Sequence, residues 1–126
     1  MVNARSKNTS PTQLAAQLAD RMTVKHGYDV LIMDLRPLTS MTDYFVLCSC
    51  DSDVQVKAVV DHLDDALRQE GVRPLHIEGI EQRLWVILDY VNVVAHVFMR
   101  STREYYGLER LWADAEMATV DNYTAS

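Results

Sequence analysis

Glycine is scarce in this chain: four residues in 126, none adjacent to another. A Gly-rich phosphate-binding loop is therefore absent, since backbone approaches a phosphate closely only where side chains are missing. Cysteine is limited to Cys48 and Cys50. A structural zinc wants four ligands, and two cysteines one residue apart on a strand sit too far apart for an easy disulfide. They read as small buried hydrophobes. Cations are outnumbered, 12 Lys and Arg against 18 Asp and Glu, which leaves a formal charge of −6. That balance argues against the phosphate-neutralising mode of nucleic-acid binding and favours steering toward a basic protein. Arg5 and Lys7 lie near the N-terminus, so the remainder is more acidic still. No apolar run approaches the roughly 20 residues that span a bilayer. Residues 1–10 are polar and lack the apolar centre of a secretory signal. A cytoplasmic protein with no membrane partner and no sequence-specific nucleic-acid contact is expected.

What is present fits one domain: 48% hydrophobic and 24% charged residues, ordinary for a globular chain of this length. Ser10 and Gln13 make a capping box ahead of a helix from Pro11 to about His26, with Leu14, Leu18 and Met22 as its stripe and Gly27 as its stop. Residues 30–33 and 44–48 are apolar at nearly every position, the pattern of strands covered on both faces. Ser52 and Gln55 open a second helix running to Glu70 before Gly71, with Val56, Val59, Val60, Leu63 and Leu67 inward. Residues 74–78 are a weak strand, and 84–90 with 93–99 form an antiparallel hairpin. Val91 in its turn resists positive φ, so a looser turn or a bulge is expected there.

A last helix is expected from Ser101, capped with Glu104, on through Trp112. On one continuous helix Tyr105, Leu108 and Trp112 share a face, flanked by Tyr106 and Leu111. That stripe either docks the helix on its own sheet or is offered to another protein. Residues 116–126 read as a flexible tail, 1–10 as a flexible leader, and 11–115 as the domain. The element order predicts an α/β fold with a single mixed β-sheet flanked by helices.

Catalytic sets are hard to assemble. Asp51 and Asp53 open the second helix, where acids suit the dipole; with Asp89 they make a possible cation site for a metal-dependent nucleotidyltransferase. His96 stands in an apolar strand, and a Cys48–His96 pair is the alternative nucleophilic arrangement. His62 and His76 have no ligand spacing. No cofactor and no metal are expected, and the chain reads as a non-enzyme.

Five segments in order carry a resemblance: Thr-Asp-Tyr-Phe-Val at 42–46, Gln-Val-Lys-Ala at 55–58, Trp-Val-Ile-Leu-Asp-Tyr at 85–90, Val-Val-Ala-His-Val-Phe at 93–98, and Arg-Glu-Tyr-Tyr-Gly-Leu-Glu-Arg-Leu-Trp at 103–112. Together they resemble the ribosomal silencing factor, or Iojap, family over nearly the whole domain. The resemblance implies a nucleotidyltransferase-like fold without transferase activity. It also implies binding to the large ribosomal subunit through that subunit's ribosomal protein fourteen, at the face used for small-subunit joining. Translation would then fall when nutrients are scarce, by steric exclusion, and the free protein would be a homodimer. Carried over by position, the partner-binding residues are Trp85, Asp89, Tyr105, Tyr106, Leu108, Glu109, Leu111 and Trp112. A role in assembly of the large subunit is the alternative. The chain departs from the family where Val91-Asn92 replaces the usual Gly-Asp, and where Ser49-Cys50 replaces a Gly-containing pair.

Overall fold

The computed structural model describes residues 9–120. Helix α1 (Pro11–Val24) starts as its sequence dictates: Ser10 Oγ accepts from Gln13 N at 3.1 Å, and Ser10 N donates to Gln13 Oε1 at 3.0 Å. Helix α2 (Asp53–Gln69) is capped by Ser52, but its Gln55 side chain turns elsewhere. It accepts from Asp51 N and donates to the His26 carbonyl at 2.7 Å, tying the start of α2 to the end of α1.

The strands are β1 (Tyr28–Asp34), β2 (Tyr44–Cys50), β3 (His76–Glu78), β4 (Trp85–Asp89), β5 (Val93–Met99) and β6 (Glu116–Thr119). They form one mixed sheet in the order β3-β4-β5-β2-β1-β6. Among the described residues only β2 and β5 run parallel; every other neighbouring pair is antiparallel. Helices α1 and α2 cover one face, where Ile32, Val46, Cys48, Leu88, Ala95 and Val97 meet Leu14, Leu18, Val59 and Leu63 in the main core. The opposite face buries a smaller cluster around Met33, Leu35, Leu47 and Phe98, and its cover is thin. Cys48 and Cys50 are free and buried, as small hydrophobes should be.

Three local expectations fail. The last helix is two pieces, α3 (Arg100–Tyr106) and α4 (Leu108–Leu111), because Gly107 takes left-handed φ 62° and ends the first. Its N-cap is Met99 with no side-chain bond, so Ser101 and Glu104 make no capping box.

The supposed tail supplies β6, which pairs with β1 from Asp34↔Glu116 to Leu31↔Thr119. Backbone pairing of an edge strand needs no apolar stripe, so the stripe's absence was no guide. The ordered sheet thus runs past residue 115. Residues 1–8 of the expected leader and 121–126 of the expected tail lie outside the described residues.

The β4–β5 turn is tight, not loose. Asn92 N donates to Tyr90 O at 2.9 Å around Val91, which holds φ 75°, the three-residue γ-turn geometry. Asp89 Oδ1 accepts from Val91 N at 2.8 Å and pins the strained residue.

Candidate protein-docking surface

The break at Gly107 decides what the C-terminal helices present. Tyr105, Leu108 and Trp112 do not form one stripe. Leu108 turns inward and is 8% exposed, packed in the cluster of Met33, Leu35, Leu47 and Phe98. Tyr105, Tyr106 and Leu111 point outward, 79%, 55% and 72% exposed. Trp112 is half-buried against the same cluster, its ring edge-on to Phe45 at 6.1 Å.

Trp85 supports this ridge more than it joins it. Its ring stacks on Phe98 at 5.0 Å and meets Tyr106 at 4.9 Å. Its indole N–H donates to His96 Nδ1 at 3.0 Å. With its donor used and rings against it, Trp85 holds Tyr106 in place. His96 is itself wedged against Phe45, ring centroids 4.4 Å apart, and burial pulls its pKa down to about 3. It is a neutral structural residue.

Asp89 lies apart from the ridge. It lies four positions along β4 from Trp85, about 13 Å at strand rise, and it serves the Val91 turn while lying 3.8 Å from His76. Glu109 is also occupied, accepting from Arg103 Nε at 3.0 Å and lying 2.9 Å from Arg103 Nη2 in an ion pair. Arg103 was not foreseen from sequence. It is buried, and its Nη1 donates to the Asp29 carbonyl at 2.7 Å and Ser49 Oγ at 2.9 Å. A buried arginine carries no signal in a single sequence. The half-buried Phe45, Ile87 and Val94, on the thinly covered face, were likewise missed as surface.

The catalytic alternatives do not assemble. The register puts Asp89 opposite Val94, at the Tyr44 end of the parallel pair, whereas Asp51 follows Cys50 at the other end. About 20 Å of strand separates them. Asp51 accepts from the Tyr28 hydroxyl, and Asp53 lies 3.8 Å from Arg83. Among the described residues no cluster of three His, Cys, Asp or Glu side chains is placed to hold a metal ion. Cys48 and His96 are on opposite faces: Leu47 pairs with His96, and Cys48 belongs to the helix-covered core. A cavity of about 760 Å³ lies behind α3 and α4. Arg100, Arg103 and Arg110 line it together with Asp29, Glu104 and Glu109, so its charges balance, and each nitrogen of the buried guanidinium has a partner.

The class defined by this fold and face is a small mixed-sheet α/β protein with an aromatic ridge exposed over a half-covered sheet. A family model described as "Ribosomal silencing factor during starvation" matches residues 7–126. The chain is 37% identical over 97 residues to the ribosomal silencing factor RsfS of Bacillus subtilis, covering 77% of this chain and 82% of that one. It is 30% identical over 98 residues to a mouse protein named "Mitochondrial assembly of ribosomal large subunit protein 1", covering 75% of this chain and 43% of that one. A crystal structure of a Chromobacterium violaceum protein superposes with TM-score 0.81 at 30% identity, covering 83% of this chain and 88% of that one. The chain belongs to the ribosomal silencing factor family.

Proposed function

We propose that this protein docks on the large ribosomal subunit through its ribosomal protein fourteen and blocks the small subunit from joining, lowering translation under nutrient limitation. It acts by occupancy, in the cytoplasm, without a cofactor. The observation that carries the reading is the outward ridge of Tyr105, Tyr106 and Leu111, with the half-buried Trp112 and Trp85 beside it. Exposed aromatics and leucine on a rigid scaffold are the residue types that anchor protein interfaces. The acidic body, −6 overall, suits a basic ribosomal partner. Leu108 enters the proposal as the core residue beneath the ridge. Asp89 and Glu109, both engaged within the chain, enter it as supports of the turn and of the ridge, not as direct contacts.

The family description supports the silencing role. The name of the mouse relative supports a second reading, large-subunit assembly through the same surface. The two differ in outcome: silencing predicts excess subunit joining on deletion during starvation, and assembly predicts immature large subunits. A homodimer of the free protein is part of the proposal, read from the family resemblance. Titrating isolated ribosomal protein fourteen with wild type and with Tyr105→Ala/Tyr106→Ala tests the contact. Equal affinity for both would remove the ridge from the interface.

A further inference from the structure

We infer that Arg103 and Glu109 are positioning residues: their part-buried ion pair sets the angle at Gly107 and thereby the display of Tyr105, Tyr106 and Leu111. The inference rests on the docking role proposed for that ridge, but its structural half stands by itself.

Neither helix can hold this arrangement alone. Helix α3 has seven residues and no side-chain cap, and α4 has four. Helices so short do not persist in water without tertiary support. Leu108 supplies one anchor, in the core under the sheet's open face. The other anchor is Arg103. Its guanidinium reaches β1 through the Asp29 carbonyl, β2 through Ser49, and α4 through Glu109. The Asp29 carbonyl is presented where β1 bulges, Asp29 itself holding φ 49°. One side chain therefore spans the Gly107 break and fixes both helices to the sheet. The side chains of Arg103 and Glu109 are 9% and 32% exposed, so removing Glu109 leaves the Arg103 guanidinium in poor solvent without its counter-charge.

The position of the pair matters because of what flanks it. Tyr105 and Tyr106 are the two residues before Gly107, and Leu111 closes α4 after it. A rotation at Gly107 moves Leu111 relative to the two tyrosines. It would not disturb the main core, which lies on the far face of the sheet. Glu109 consequently acts through the ridge and not as a charge held out to the partner.

The test uses the full chain with Glu109→Gln, Arg103→Lys and the double variant. Far-UV dichroism first establishes that each folds. Amide hydrogen exchange over residues 104–111 should then quicken about tenfold in each single variant while α1 and α2 keep their protection, because only the local opening changes. Affinity for purified large subunits should fall about tenfold in each single variant, and the double should be no worse than the weaker single, the signature of two residues acting as one unit. Unchanged exchange at 104–111 would overturn the inference. So would additive losses of affinity, which would make Glu109 a direct contact. Failure of the wild-type chain to bind large subunits would remove the docking role, while the exchange result would still decide the clamp.

Discussion

Trp85 and His96 sit diagonally across the β4–β5 pair, and the indole Nε1 of Trp85 donates to His96 Nδ1 at 3.0 Å. A neutral imidazole that accepts at Nδ1 carries its proton on Nε2, and that atom is buried without a partner among the described residues. The bond fixes the tautomer and the indole together. It also makes the open face of the sheet sensitive to acid.

The pH dependence follows from the direction of that shift. His96 titrates at about 3 when folded and near 6.5 when unfolded. The unfolded chain binds the proton more readily, so the stability contribution is complete above about pH 6.5 and declines as pH falls toward 3. Between pH 7 and pH 5 the loss should reach about 2 kcal/mol. His62, lowered chiefly by burial, adds in the same direction. The Asp34 carboxyl, held down by Arg36, titrates below this window. Urea unfolding at the two pH values should show the loss in wild type and much less of it in His96→Gln. Identical slopes in both would contradict the assignment.

Leu108→Ala and Leu111→Ala should part company. Leu108 is in the core, and its truncation should cost about 3 kcal/mol of stability. Leu111 is exposed, and its truncation should change stability by no more than about 0.5 kcal/mol while weakening large-subunit binding. Thermal unfolding and co-sedimentation separate the two effects. Equal destabilisation would mean that α3 and α4 form one helix after all.

Val91→Gly should stabilise the protein. A β-branched residue at φ 75° is strained by roughly 1–2 kcal/mol, only part of which the added chain entropy of glycine offsets. A net gain of about 1 kcal/mol in denaturant unfolding is expected. A loss would show that Val91 packs usefully enough to outweigh its backbone.

Most of the fold was legible because its signals are local. Ser10 with Gln13 and Ser52 with Gln55 mark helix starts within four residues, and apolar runs mark β2 and β5 within seven. What failed was non-local or hinged on a single residue. A single helix through Trp112 takes no account of Gly107, whose freedom at positive φ turns Leu108 inward and Tyr105 outward. The edge strand β6 is specified by the open edge of β1, some 80 residues away in the chain, and nothing in its own sequence announces it. The aromatic residues of the candidate site were legible as a group. Their division into anchors and supports was not, because it depends on which ring covers which: Trp85 against Phe98 and Tyr106, and Trp112 against Phe45.

The central claim is that the ridge on α3 and α4 keeps ribosomal subunits apart, and subunit joining measures it most directly. Separated large and small subunits are mixed at physiological salt with increasing wild-type protein, or with Tyr105→Ala/Tyr106→Ala/Leu111→Ala, and joined ribosomes are followed by light scattering. The account predicts that wild type sediments with the large subunit alone and lowers the joined fraction. It predicts that the folded triple variant leaves joining unchanged. Joining that is insensitive to wild-type protein bound on the large subunit would contradict it.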